Sequence, residues 1–166
     1  MDFIKNTLRG VAYGNGVTAF LRVAIGLLFM WSGGAKMIDP AGFAKIIGFY
    51  GILPERLLPY AAATLPSIEL LAGALLSAGY RIKPAALITA SLLVIFIAAI
   101  TLNLARGERF DCGCFDLARF GISETIGPGV IARDAALLAV TLVLYRVKKH
   151  VASIEAIAER IRLREL

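Results

Sequence analysis

Apolar residues fill four long stretches of the chain, and charged residues gather between these stretches and at the two ends. A helix that crosses a bilayer needs roughly 20 predominantly apolar residues, and each stretch is about that long. The pattern therefore predicts an all-α polytopic membrane four-helix bundle in a single domain, residues 1–166. We place the spans at about residues 17–35, 60–79, 84–105 and 128–145.

Two further helices are predicted outside the spans. After the first span, apolar residues recur at helical spacing from Phe43 to Tyr50, between two prolines, which is typical of a short helix lying along the interface. After the fourth span, residues 147–166 carry an isoleucine-rich stripe and predict a cytoplasmic amphipathic helix. The link at 81–83 is so short that the second and third spans must form an antiparallel hairpin.

Composition and charge agree with a membrane location. The chain is 58% hydrophobic, whereas soluble domains are roughly 45–50% apolar. The net charge of +6 does not indicate nucleic-acid binding, because the basic residues form no patch with interleaved aromatics. Membrane lipids are the expected contact instead. Basic residues are densest at the two termini and in the 81–83 turn, so we expect both termini to be cytoplasmic.

The chemistry of the chain is concentrated in the tripeptide Cys112-Gly113-Cys114, which holds both of its cysteines. With cytoplasmic termini, this loop is extracytoplasmic, near the surface of a bacterial inner membrane. A disulfide needs its two α-carbons within about 4.4–6.8 Å, and Gly113 is the residue best able to make the required sharp turn. The small ring would be strained, and strained exposed disulfides are typically labile or catalytic. The motif therefore favours thiol–disulfide exchange.

Other interpretations of the two cysteines stay open. A structural bridge is disfavoured because closing so short a loop removes little entropy from the unfolded chain. Burial as small apolar residues is disfavoured by Asp111 and Asp116. Cys112 and Cys114 could instead hold a soft metal such as copper or mercury, which would make the protein a metal-transfer module. A non-catalytic membrane subunit of a redox complex is a further alternative.

Ionisable and polar residues interrupt the apolar spans, where such groups are costly and often functional. Arg22 and Glu69 lie deep in the first two spans, and we predict that they form a buried ion pair. Further polar residues lie toward the outer helix ends, at about the depth of the cysteine loop. A cation there would raise the thiolate fraction, and a quinone pocket is a candidate at the same depth. These residues are Lys36, Asn103, Arg133 and Asp134.

Taken in order, these features resemble the DoxX-like membrane proteins and, within them, the methylamine-utilisation membrane protein (MauE) family. The resemblance covers roughly residues 17 to 145, and Asp116 departs from it because the family often has glycine there. The residues that carry it are Arg22, Gly26, Phe29, Gly33, Lys36, Asp39-Pro40, Pro54, Pro66, Glu69, Asn103 and Cys112-Gly113-Cys114-Phe115.

The resemblance implies a four-helix membrane protein in extracytoplasmic thiol redox chemistry, often alongside a thioredoxin-like partner. In the methylamine system it implies maturation of a disulfide-rich dehydrogenase subunit. The wider group includes quinone reduction and thiosulfate oxidation, so the substrate does not transfer with the fold. Because the chain has one cysteine pair, its other redox partner must be a second protein, a small thiol or a quinone.

Overall fold

The computed structural model describes residues 15–110, 112 and 125–147. Within this part of the chain, four segments are long and apolar enough to cross a membrane, which confirms the predicted all-α architecture with four candidate spans: Gly16–Ile38, Glu55–Ala78, Ile82–Ala105 and Pro128–Arg146. The elements, labelled in chain order, are α1 (Asn15–Ile38), α2 (Pro40–Phe49), a short 3-10 helix (Glu55–Leu57), α3 (Leu58–Ala78), α4 (Ile82–Ala105) and α5 (Pro128–Arg146).

The amphipathic C-terminal helix stays a prediction, because residues 148–166 lie outside the described residues. The short helix between the first two spans is confirmed as α2. Its N-terminus is capped by Asp39, whose Oδ1 accepts a hydrogen bond of 2.9 Å from the amide of Gly42, and Pro40 occupies the first turn. Phe43 and Tyr50 are buried, so the apolar stripe of this segment packs against the other helices.

Helices α3 and α4 form the predicted tight hairpin. Gly79 ends α3 in the left-handed region, at φ 70°, which costs glycine no steric strain. Helix α4 begins at Ile82, two residues before the predicted start of the span at Pro84. Pro84 therefore lies in the first turn of α4, where a helical amide has no intrahelical partner and a proline is tolerated.

Helices α1 and α3 run antiparallel in close contact. A Cβ added at Gly26 would come within 2.7 Å of the Gly73 carbonyl oxygen, and one added at Gly33 within 2.7 Å of the Pro66 carbonyl oxygen. Real side chains do not tolerate such contacts, so these glycines allow the two backbones to approach. Gly34 has open space around the equivalent position and plays no such role.

Two groups of buried apolar residues hold the helices together. One joins α1, α3, α4 and α5, and the other lies where α2 and α4 end and α5 begins. Large apolar side chains such as Phe20 and Ile95 are exposed on the outer surface, which is expected for lipid contact. The first group is Ile25, Phe29, Leu76, Ile82, Ala85, Ala86, Leu92, Leu93 and Leu144, and the second is Tyr50, Ile100, Cys112 and Ile126.

Candidate functional site

Cys112 is buried, with 2% of its surface exposed. The expectation that this residue is exposed is therefore wrong, while its position near the membrane surface stays a prediction. It packs with Ile100 of α4 and with Ile126, just before α5. The amide of Ile126 donates a hydrogen bond of 2.9 Å to the carbonyl of Phe110, which brings the two ends of the loop together. The aspartates near Cys112 in the sequence gave no indication of its burial, because burial here depends on packing against residues that are distant in the chain.

Gly113 and Cys114 lie outside the described residues, as does Asp111. The geometry of the Cys112–Cys114 pair and its redox state therefore stay predictions. Among the described residues, no three His, Cys, Asp or Glu side chains gather in a way that could hold a metal ion.

Tyr50 connects Cys112 to the helices. Its hydroxyl donates a hydrogen bond of 3.0 Å to the carbonyl oxygen of Cys112, in a buried setting. Its ring meets the Phe110 ring edge-on, with centroids 4.9 Å apart. The sequence placed Tyr50 only in the apolar stripe of the short helix. The one sequence signal for a site role was that a tyrosine ends this stripe, because a buried tyrosine hydroxyl usually needs a hydrogen-bond partner.

Asn103 supports Tyr50 from α4. Its Nδ2 donates to the carbonyl oxygen of Tyr50 at 3.2 Å and to that of Ala99 at 3.0 Å. Asn103 is 1% exposed, so these two hydrogen bonds replace the ones that its amide group would make to water. We call Tyr50, Asn103 and Cys112 the cysteine anchor. The structure thus links Asn103 to Cys112, although through a tyrosine that the sequence did not suggest.

A second buried polar group lies between α1 and α3. The Lys36 Nζ lies 2.7 Å from both carboxylate oxygens of Glu69 and donates to the Ser32 hydroxyl at 2.9 Å. The Ser32 hydroxyl in turn donates to Glu69 Oε2 at 3.1 Å. The rings of Phe43 and Phe96 each have their centroid 5.1 Å from Nζ. We call Ser32, Lys36 and Glu69 the ion-pair cluster.

The predicted Arg22–Glu69 ion pair is wrong, because Glu69 is bound by Lys36. The antiparallel register decides this: a Cβ added at Gly33 would lie 3.2 Å from the Cβ of Glu69. Arg22 precedes Gly33 by eleven residues on α1. At 1.5 Å per residue, this places Arg22 about 16 Å from the level of Glu69 along the helix axis. Lys36 is 3% exposed, so it lies inside the bundle. Arg22 is itself buried, at 2% exposure, at a different level of the bundle.

Arg133 and Asp134 contact each other on α5. The Arg133 Nε donates to Asp134 Oδ1 at 3.0 Å, and Nη2 lies 3.0 Å from the same oxygen. The Asp134 side chain is 2% exposed and that of Arg133 is 30% exposed. Val130 and Ile131, one turn earlier, pack against the buried group that includes Cys112. This pair therefore lies near the cysteine anchor, while its effect on the thiol stays a prediction.

The residues expected to line a quinone pocket have separate protein partners. Lys36 binds Glu69, Asn103 binds the backbone at Tyr50, and Arg133 binds Asp134. Their described polar contacts do not converge on one shared group, and the quinone pocket stays a prediction. We therefore derive no step through a quinone. The charge of Lys36 is balanced by Glu69, which weakens the interpretation that it stabilises a thiolate.

The described helices define a multi-pass α-helical membrane protein with polar groups buried inside apolar spans. The family model described as "Methylamine utilisation protein MauE" matches residues 15–146, and the chain belongs to this family. "Methylamine utilization protein MauE" of Paracoccus denitrificans is a relative, 30% identical over 125 residues. The match covers 75% of this chain and 66% of that relative. No solved structure matches.

Proposed function

We propose that this protein is a membrane thiol–disulfide oxidoreductase that acts in methylamine utilisation. Cys112 and Cys114 exchange a disulfide with a thioredoxin-like protein and with a disulfide-containing client. The reaction takes place on the extracytoplasmic side of a bacterial inner membrane, consistent with the basic termini and basic 81–83 turn. The client is a disulfide-rich dehydrogenase subunit, as the family resemblance implies.

The observation that carries this proposal is the fixed position of Cys112. The hydrogen bond from the Tyr50 hydroxyl holds the carbonyl of Cys112, and apolar packing holds its side chain. One end of the Cys-Gly-Cys motif is therefore attached to the helices of the bundle. A disulfide across this tripeptide would contribute little stability, so a role in disulfide exchange fits it better than a structural role.

The exchange balances without a further reactant. A cysteine thiolate attacks a disulfide sulfur of the partner, forms a mixed disulfide and releases a partner thiolate, which takes up a proton. The second cysteine then attacks the mixed disulfide. The second partner thiol leaves, and the Cys112–Cys114 disulfide forms. Two electrons pass from this protein to its partner, and the reverse sequence transfers them from a second thiol protein.

The test uses the full chain purified in detergent. The reduced protein is mixed with a thioredoxin in its disulfide form, and thiols on both proteins are counted after acid quenching. We expect reciprocal loss and gain of two thiols, and no reaction with the Cys112→Ser/Cys114→Ser variant. Thiol counts that stay constant over a range of thioredoxin-like probes would overturn the proposal. Tight binding of Cu(I) to the reduced pair without any exchange would instead support the metal-transfer alternative.

A further inference from the structure

Helix α2 contacts the ion-pair cluster near its start and the cysteine anchor at its end. Phe43 lies next to the Lys36 ammonium, and the Tyr50 hydroxyl donates to the Cys112 carbonyl. The helical backbone continues to Tyr50, at φ −65° and ψ −21°. At 3.6 residues per turn and 1.5 Å per residue, Phe43 and Tyr50 therefore lie on one face of the helix, about 10 Å apart.

Helix α4 also contacts both sites. The Phe96 ring centroid is 5.1 Å from the Lys36 Nζ, and Ile100, about one turn later, packs with Cys112. Measured along α4 and α2, the ion-pair cluster is therefore about one to two helical turns from Cys112. The two buried polar sites are neighbours joined by the same pair of helices.

The buried ion pair stabilises the position of α2. Lys36 is 3% exposed, and a charge buried in an apolar bundle is costly unless nearby groups compensate it. Glu69 and Ser32 bind the ammonium, and the Phe43 ring, itself 5% exposed, lies beside it. Displacement of α2 would remove this ring and open the ion pair to its surroundings. The ion pair therefore opposes that displacement.

We propose that Lys36 is a positioning residue for Cys112 and acts through α2. Fixed by Glu69, the Lys36 ammonium holds α2 in place through the Phe43 ring. Helix α2 in turn holds Tyr50, whose hydroxyl bonds to the Cys112 carbonyl. This inference rests on the proposed function, because the position of Cys112 matters when that cysteine exchanges disulfides.

The first test measures alkylation of Cys112 by a maleimide in a Cys114→Ser background, with the full chain in detergent. Lys36→Met/Glu69→Leu removes both charges and keeps apolar side chains in their place. We expect alkylation to become about threefold to tenfold faster, the size of one lost cation–π interaction. The free energy of unfolding should stay close to that of the parent. Alkylation at the parent's rate would overturn the proposal.

Phe43→Leu tests the connection through α2, because it keeps an apolar side chain and removes the ring. By itself it should accelerate alkylation of Cys112 to a similar extent. Combined with Lys36→Met/Glu69→Leu, it should accelerate alkylation by much less than the product of the two separate effects, since both changes remove the same contact. A full product would show that Phe43 and Lys36 act on Cys112 independently, and the proposed connection would fail.

The matched control is Phe29→Leu, the same substitution at another buried phenylalanine. Phe29 is 4% exposed and belongs to the apolar group of α1, α3, α4 and α5, which includes neither Cys112 nor any residue of α2. Phe29→Leu should lower the free energy of unfolding about as much as Phe43→Leu and leave alkylation of Cys112 unchanged. Equal acceleration by the two leucine variants would mean that alkylation follows global stability, which contradicts the proposal.

A second readout uses the chain with both cysteines. Lys36→Met/Glu69→Leu should exchange thiols with an oxidised thioredoxin about threefold to tenfold more slowly, since Cys112 is less often in place. Unchanged exchange together with faster alkylation would refute a role of Lys36 in the reaction. If the unaltered protein exchanges thiols with no thioredoxin-like probe, the proposed function fails, whereas the alkylation comparison still decides whether Lys36 positions Cys112.

Discussion

The ion-pair cluster and the cysteine anchor are both buried, yet they are built from different groups. In the ion-pair cluster, Lys36, Glu69 and Ser32 bind one another through side chains. In the cysteine anchor, the Tyr50 and Asn103 side chains bind backbone carbonyls. The first arrangement fixes two helices relative to each other. The second fixes a point on the backbone beside the Cys112 sulfur through neutral hydrogen bonds.

This difference has an energetic consequence. Removing one member of a buried ion pair leaves an uncompensated charge, whereas losing a neutral hydrogen bond costs about 0.5–1.5 kcal/mol. The bundle should therefore tolerate adjustment at the cysteine anchor much better than at the ion-pair cluster. Such tolerance suits the proposed disulfide exchange, in which Cys112 would change its bonding.

The largest expected effect separates the two regions directly. Glu69→Ala leaves the buried Lys36 ammonium without its carboxylate and should lower the free energy of unfolding by about 3–5 kcal/mol. Unfolding in detergent, followed by circular dichroism, measures the loss. The double variant Lys36→Met/Glu69→Leu removes both charges and should recover most of the stability. A Glu69→Ala variant as stable as wild type would show that the pair contributes no net stability.

A smaller effect tests the close contact on which the ion-pair cluster depends. Gly33→Ala places a methyl group 2.7 Å from the Pro66 carbonyl oxygen and should cost about 1–3 kcal/mol, since the backbones must separate. Gly34→Ala is the matched control, because nothing lies within 4 Å of its added Cβ. The same unfolding assay applies. Equal stabilities for the two alanine variants would contradict the observed α1–α3 approach.

At the cysteine anchor, Asn103→Ala removes the donor to the Tyr50 carbonyl and should cost about 1 kcal/mol. Maleimide labelling of Cys112 in a Cys114→Ser background should become moderately faster. Thr101→Val is the control, because Thr101 bonds to the Ile97 carbonyl on the exposed face of the same helix. If Asn103→Ala lowered the free energy of unfolding nearly as much as Glu69→Ala, the cysteine anchor would not be the more tolerant of the two regions.

The smallest expected effect concerns Phe96, one of the two aromatic rings next to the Lys36 ammonium. A double-mutant cycle that combines Phe96→Leu with Lys36→Met should give a coupling free energy of about 0.5 kcal/mol, the size of a modest cation–π interaction. The cycle removes the separate packing loss of each substitution from the comparison. A coupling of zero would mean that Phe96 acts on Lys36 only as apolar cover.

Much of the fold could be predicted from local pattern. Apolar runs of membrane length located the four spans, and Pro40 with the apolar spacing up to Tyr50 located α2. The candidate site was only partly predictable. Asn103 was singled out for its depth, yet its bond to Tyr50 joins residues that are 53 positions apart. Tyr50 was missed as a site residue because nothing local distinguishes a tyrosine that binds a distant backbone from one that fills a core.

The sequence by itself therefore determined which segments are helices and cross the membrane, because the length and polarity of a segment are local quantities in a bilayer. It also supplied the buried charges and the Cys-Gly-Cys motif. Only the tertiary structure decided that Glu69 pairs with Lys36, and that Cys112 is buried with its carbonyl bonded by Tyr50. Partner choice and burial depend on the register in which distant helices pack, and close-approach glycines set that register together with the surrounding side chains.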